Sequence, residues 1–109
     1  MRAPVGSMAL VRMNGRILFA STRFCKLIGV SHSKVAGMSY FDFVFPEDFD
    51  FARQLFQPNK HLNDEPFRVR LKRMDGAPVW VDIQLVPMKS LSGKIYAVTA
   101  SVTAKAQIA

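Results

Sequence analysis

Residues 67–103 read FRVRLKRMDGAPVWVDIQLVPMKSLSGKIYAVTASVT, and this stretch decides the fold. In its first run Phe67, Val69 and Leu71 alternate with Arg68, Arg70 and Lys72, the period-two pattern of a half-buried strand. Asp75-Gly76 is a turn pair between two such runs. The second run puts Val79, Val81, Ile83 and Leu85 on one face. Ser92-Gly93 supplies the next turn, and residues 94–103 form a third run rich in β-branched side chains. Three consecutive antiparallel strands follow from this pattern. Their apolar face needs a cover, and the upstream chain must supply it.

Upstream, Asn14-Gly15 is a strong hairpin pair between two apolar runs, residues 8–13 and 16–20. Ser21 or Thr22 caps a short helix over residues 23–28, with Phe24, Leu27 and Ile28 at helical spacing and Gly29 as its stop. Ser31 and Ser33 are cap candidates for a second short helix through Lys34 and Val35. Ser39 caps a third turn carrying Tyr40, Phe41, Phe43 and Val44. Pro46-Glu47-Asp48 opens the longest helix, which runs to about Gln57 and is ended by Pro58. Residues 59–66 form a polar loop. The predicted fold is α+β: a five-stranded antiparallel sheet with short helices packed on one face. Residues 1–7 are a lead-in, 8–103 the domain and 104–109 a C-terminal tail.

A chain of 109 residues with 50% hydrophobic and 21% charged residues supports one packed domain. No apolar run approaches the roughly 18 residues that span a bilayer, and the first eight residues carry no export pattern. Cys25 is the single cysteine, which fits a reducing, intracellular location, cytoplasmic or nuclear. The net charge of +7 favours nucleic acid, acidic lipid or an acidic partner; otherwise a larger protein carries the compensating charge elsewhere.

The arrangement resembles the PAS domain family over residues 8–103. Matching pieces are Asn14-Gly15-Arg16-Ile17-Leu18 at the first hairpin, Leu27-Ile28-Gly29-Val30 at the first helix end and Val35-Ala36-Gly37-Met38-Ser39 after it. Phe43-Val44-Phe45-Pro46-Glu47-Asp48, Arg73-Met74-Asp75-Gly76 and Val79-Trp80-Val81 complete the set. Two positions depart from the family pattern: Ser101-Val102-Thr103 stands for its terminal triplet, and Phe45 for a histidine. The resemblance implies helices cupped over a five-stranded sheet, enclosing a hollow. It also implies a sensory or dimerisation role within a larger signalling or transcription-regulatory protein.

No arrangement of nucleophile and base, and no phosphate-cradling glycine loop, points to an enzyme. Cys25, among Phe24 and Leu27, reads as structural. His32 and His61 read as surface histidines rather than metal or haem-iron ligands, and no Cys/His spacing suggests zinc. Asp42, Glu47, Asp48 and Asp50 read as helix-start carboxylates. The six phenylalanines between Phe41 and Phe56 either fill the hollow or line a pocket for a flavin, haem or metabolite. Gln84 and Thr99 are candidate polar groups for such a pocket. A basic row of Arg68, Arg70, Lys72 and Arg73 offers weak nucleic-acid binding, without specific readout because no aromatic interleaves on that face. The sharper expectation comes from alternation. If Val81, Ile83 and Leu85 point inward, and Ile95, Ala97 and Thr99 likewise, the outer face collects Trp80, Val86, Tyr96, Val98 and Val102. Such an apolar face is an interface candidate; the alternative is that a flanking segment such as residues 1–7 covers it. The expected partner is a second copy or a related PAS domain, with a small-molecule ligand as the alternative and no membrane partner.

Overall fold

The computed structural model describes residues 6–54 and 66–104. Five strands form one antiparallel sheet: β1 (Ser7–Arg12), β2 (Ile17–Ala20), β3 (Phe67–Lys72), β4 (Pro78–Lys89) and β5 (Ile95–Ala104). Their spatial order is β2-β1-β5-β4-β3. The last three strands form the meander expected from their turn pairs, and the first hairpin joins it by pairing β1 with β5. The five-stranded sheet and its short helices are the fold class read from the sequence.

Between β2 and β3 lie α1 (Thr22–Ile28), α2 (His32–Val35) and α3 (Phe49–Gln54), with 3₁₀ turns at Tyr40–Phe43 and Pro46–Asp48. Local chemistry sets each boundary. The Ser21 hydroxyl accepts from the Phe24 N–H at 3.2 Å and from the Met8 N–H at 3.0 Å, so one side chain caps α1 and ties it to β1. Gly29 ends α1 in the left-handed region at φ 85°, its N–H donating to the Cys25 carbonyl at 2.8 Å. A side chain here would also meet the Arg73 guanidinium at 3.4 Å. Ser39 and Asp42 form a reciprocal capping box around the Tyr40–Phe43 turn. The long helix expected from residue 46 begins instead as a 3₁₀ turn and becomes α-helical only at Phe49. Its expected end at Gln57 and Pro58, the loop from residue 59, Phe56 and His61 lie outside the described residues.

The core lies between sheet and helices. From the sheet come Ala9, Val11, Ile17, Ala20, Leu71, Val81, Ile83, Leu85, Val98, Ala100 and Val102; Phe24, Cys25, Ile28, Val30, Val35 and Phe43 cover them. Phe24 and Phe43 meet edge to face, with ring centroids 6.3 Å apart. The free side of β2 is partly covered too. Gly37 N–H donates to the Ile17 carbonyl, and Ile17 N–H to the Met38 carbonyl, both at 2.8 Å. Among the described residues no helix is long and apolar enough to cross a membrane.

Val98 and Val102, expected on the outer face, are instead core residues, with Val98 wholly buried. The cause is a bulge. Lys89 pairs with Ile95, but Met88 pairs with Ala97, so Tyr96 is an extra residue in β5. Counting from the turn carries Ile95 onto the inward face of Lys89. The extra residue reverses every side chain after it, sending Val98, Ala100 and Val102 inward and Ala97, Thr99 and Ser101 outward.

Candidate interaction face and interior cavity

The register across the sheet builds the outer face row by row. Phe19 pairs with Leu10, Leu10 with Thr99, and Thr99 with Val86, giving one row across β2, β1, β5 and β4. Beside it runs a second row, Arg12, Ala97 and Met88. Phe19 is 51% exposed, and Val86 and Met88 are exposed too. Leu18 is exposed because β2 has its own register shift: Leu10 pairs with Phe19 but Val11 with Ile17, leaving Leu18 between them.

Of the residues expected here, Val86 sits in the apolar row. Tyr96 is exposed on the bulge at one end. Trp80 is exposed but separate, opposite Arg70, with the outward-facing Asp82 and Gln84 between it and Val86. Val86 lies six residue steps along the strand from Trp80, roughly 20 Å. Phe19 and Leu10 were missed by sequence reasoning. Their hairpin is apolar at nearly every position, so alternation gave no parity, and only pairing with β5 fixes it.

The basic row does not act as a row. Arg68 pairs with Asp82 at 3.5 Å, and Arg73 with Asp75 at 3.6 Å. Arg70 comes from the edge strand β3 and reaches the helical layer, meeting Asp48 at 3.0 Å and Glu47 at 3.2 Å. Its guanidinium carbon stands 4.4 Å from the centre of the Phe45 ring. Its hydrogen bond to the accepting Asp48 carboxylate raises the Arg70 pKa further, so this group stays charged. Aromatic rings do flank the row, contrary to expectation: Trp80 opposite Arg70, and Phe45 beneath its guanidinium. What removes the row as an anion reader is instead the carboxylate paired to each arginine.

The remaining candidates have local roles. Asp42 caps its turn and Asp50 pairs with Arg53. His32 shares a 2.9 Å hydrogen bond with Thr22 on the surface. Cys25 is buried, which pushes its thiol pKa up. Among the described residues no group of three or more His, Cys, Asp or Glu is placed to hold a metal.

Beneath the helices a cavity of about 80 Å³ remains. Its floor is Ala9, Val11, Ile83, Leu85, Ala100 and Val102, and its cover includes Phe24, Tyr40, Phe43 and Phe51. Asp48 and Arg70, paired with each other, are its charged lining residues. Gln84 and Thr99 face the other side of the sheet and contribute nothing to it. Among the described phenylalanines of the Phe41–Phe56 group only Phe43 is fully buried, and Phe43 and Phe51 line the cavity. Tyr40 closes one wall, its hydroxyl donating to the Ala52 carbonyl at 2.5 Å. Burial pushes that hydroxyl's pKa up to about 12, with Arg53 nearby pulling the other way.

A PAS domain family model matches residues 4–103. The PAS domain of a protein from Colwellia psychrerythraea is 14% identical, covering 91% of this chain and 85% of its own, at a TM-score of 0.82. The PAS domain of an HTR-like protein from Haloarcula marismortui is 19% identical, covering 94% of this chain and 83% of its own, at 0.76. A light-oxygen-voltage domain studied with a flavin analogue is 17% identical, covering 94% and 79%, at 0.73. At these identities the likeness is one of fold. No curated protein sequence matches the chain.

Proposed function

The chain belongs to the PAS domain family, and we propose that it is a non-catalytic intracellular signalling module that pairs, through the outer face of its sheet, with a second copy or a related PAS domain. One observation carries this reading: Phe19, Leu10, Thr99 and Val86 form an apolar row across four strands on the face the helices leave uncovered. A solvated sheet face normally alternates to polar side chains, and aromatic residues with aliphatic neighbours are typical of interface centres. Phe19 and Val86 flank Leu10 and Thr99 in this row, Tyr96 and Met88 extend it towards one end, and Trp80 is an outlying anchor. Sedimentation equilibrium across a wide concentration range tests the reading. Mass rising from one chain towards two supports a homodimer. A mass fixed at one chain, with no pairing when related PAS domains are titrated in, removes it.

The cavity supports a second reading, ligand sensing. Apart from the paired Asp48 and Arg70 and from Tyr40, its lining residues are apolar, and an apolar cavity of roughly 150 Å³ elsewhere admits benzene. At about 80 Å³ it takes a smaller apolar molecule. That is well below the roughly 300–1,000 Å³ typical of pockets for larger ligands, so this reading takes a small apolar molecule as its ligand. Binding of a small apolar gas such as xenon, followed by chemical-shift changes at Val102 and Ile83, tests this reading separately from pairing.

A further inference from the structure

The +7 charge is unevenly spent once the ion pairs are drawn. The described carboxylates are engaged locally: Glu47 and Asp48 with Arg70, Asp50 with Arg53, Asp75 with Arg73, Asp82 with Arg68, and Asp42 in its capping box. Eight described cations have no carboxylate within ion-pair distance among the described residues: Arg23, Lys26, Lys34 and Lys72 are spread over the helices and β3, whereas Arg12, Arg16, Lys89 and Lys94 fall together, Arg16 also donating to the Gly37 carbonyl at 2.9 Å. These last four are exposed.

Topology gathers these cations at one end of the sheet. Arg12 ends β1 and pairs with Ala97, which also pairs with Met88. Arg12 N–H donates to the Arg16 carbonyl across the first hairpin at 2.8 Å. Lys89 pairs with Ile95 at the mouth of the second hairpin, and Ser90 N–H donates to the Lys94 carbonyl at 2.8 Å. Both hairpins therefore point the same way; the Arg16–Ser39 bridge adjoins the turn where Asp42 accepts from the Ser39 N–H.

At the tip of the second hairpin stands Leu91, an aliphatic side chain fully exposed to solvent. Exposed Tyr96 and Met88 lie behind it. We propose that this end of the sheet docks on an anionic bilayer surface, with Leu91 entering the headgroup boundary and Lys89, Lys94, Arg12 and Arg16 holding the lipid charge.

The spacing suits that occupant. Lys89 and Lys94 stand two and three residues from Leu91, at most roughly 7–10 Å of extended chain. Apolar groups of surface-bound elements bury to about 5–10 Å at the headgroup boundary. Leu91 therefore reaches the acyl chains while both ammonium groups remain at phosphate level. The turn also keeps polar groups satisfied as water is displaced. Gly93 N–H donates to the Ser90 carbonyl at 2.9 Å, and the Ser90 and Ser92 hydroxyls share a 2.9 Å bond. Tyr96, on the bulge just behind, has the amphipathic character of rings found at the interfacial belt. Nucleic acid is the weaker match, since a single-strand reader presents successive aromatic platforms and the outermost group here is aliphatic. The absence of a spanning segment bears on crossing a membrane, not on contacting its surface.

Co-sedimentation of the full chain with vesicles at physiological ionic strength tests the proposal. Vesicles of phosphatidylcholine doped with phosphatidylserine should pull the chain down, and phosphatidylcholine alone should not. Replacing Lys89 and Lys94 together by glutamine should weaken binding roughly 30-fold, about fivefold per cation. Leu91→Ser should weaken it by roughly tenfold while circular dichroism stays unchanged. The matched pair Arg23→Gln and Lys26→Gln, on α1, removes the same charge elsewhere and should change binding by less than about twofold, because screening confines the attraction to groups near the surface. Absence of vesicle binding overturns the proposal, as does equal loss from the α1 pair, which would mark a net-charge effect. Tighter binding to duplex DNA that is indifferent to Leu91→Ser would also overturn it, in favour of a nucleic-acid surface. None of these variants lies in the Phe19–Val86 row, so failure here leaves the pairing reading standing.

Discussion

Phe19→Ala and Val98→Ala should separate pairing from folding. Phe19 lies in the outer row and leaves 51% of its surface exposed. A phenylalanine side chain carries roughly 200 Å², so on the order of 100 Å² is available to a partner. At about 25 cal/mol per Å² its burial is worth roughly 2.5 kcal/mol. That corresponds to a loss of about 60-fold in association, within the range of interface hot spots. The shielded half of the ring supports the fold, so the monomer loses up to about 2 kcal/mol, which a domain with the usual 5–15 kcal/mol survives. Val98 is wholly buried on the opposite face. Truncating it removes two carbons, about 1.6 kcal/mol of transfer, and leaves a void, so the fold should lose roughly 2–3 kcal/mol. The dissociation constant of the remaining folded protein should not move. Analytical ultracentrifugation gives the first quantity and urea unfolding the second. An unchanged dissociation constant for Phe19→Ala refutes the row as an interface centre. A Val98→Ala variant that dissociates without losing stability refutes the inward assignment of β5.

Other outcomes follow from single residues. Tyr40 is protonated more tightly when folded, so its stabilising share is full below pH 10, its unfolded value, and is lost as pH rises through about 12; allowing for its partial exposure, about 1–2 kcal/mol should vanish over that window, and Tyr40→Phe should flatten that part of the alkaline stability profile. Cys25 should resist thiol reagents in the native state and react promptly in denaturant, because burial both shields it and disfavours its thiolate; rapid native labelling would contradict the buried placement. Gly29→Ala should cost about 1–2 kcal/mol in urea unfolding, since an L-residue at φ 85° is strained and its Cβ presses on Arg73; a neutral substitution would show that the α1 stop relaxes.

How far each element was legible depended on whether its determinant was local. Asn14-Gly15 and Asp75-Gly76 announce their hairpins through their own backbone preferences, and both hairpins form. Ser21 and Gly29 mark the ends of α1 by the same kind of local chemistry. Face assignments are a different quantity. They depend on parity, and a single inserted residue reverses parity for the rest of a strand. Tyr96 and Leu18 are such insertions, and nothing in their identity distinguishes a bulged residue from a paired one. The Val98 and Val102 assignments failed for that reason, while Val81, Ile83 and Leu85, upstream of the bulge on β4, were placed correctly.

Charge shows the same division between local and distant causes. The row Arg68, Arg70, Lys72 looks like a continuous basic surface in one dimension. Neutralisation of its two arginines depends on Asp82, reached across a strand pair, and on Glu47 and Asp48, which stand more than 20 residues earlier, while Lys72 has no ion pair among the described residues. At Arg12, Arg16, Lys89 and Lys94 the opposite happens. Scattered in sequence, they fall at one end of the sheet only because β1 and β4 both run towards it, with β5 antiparallel between them. Composition therefore measured the excess charge correctly but pointed to the wrong strand as its site. The sheet's topology, not any motif, is what gathers Arg12, Arg16, Lys89 and Lys94 at the hairpin end.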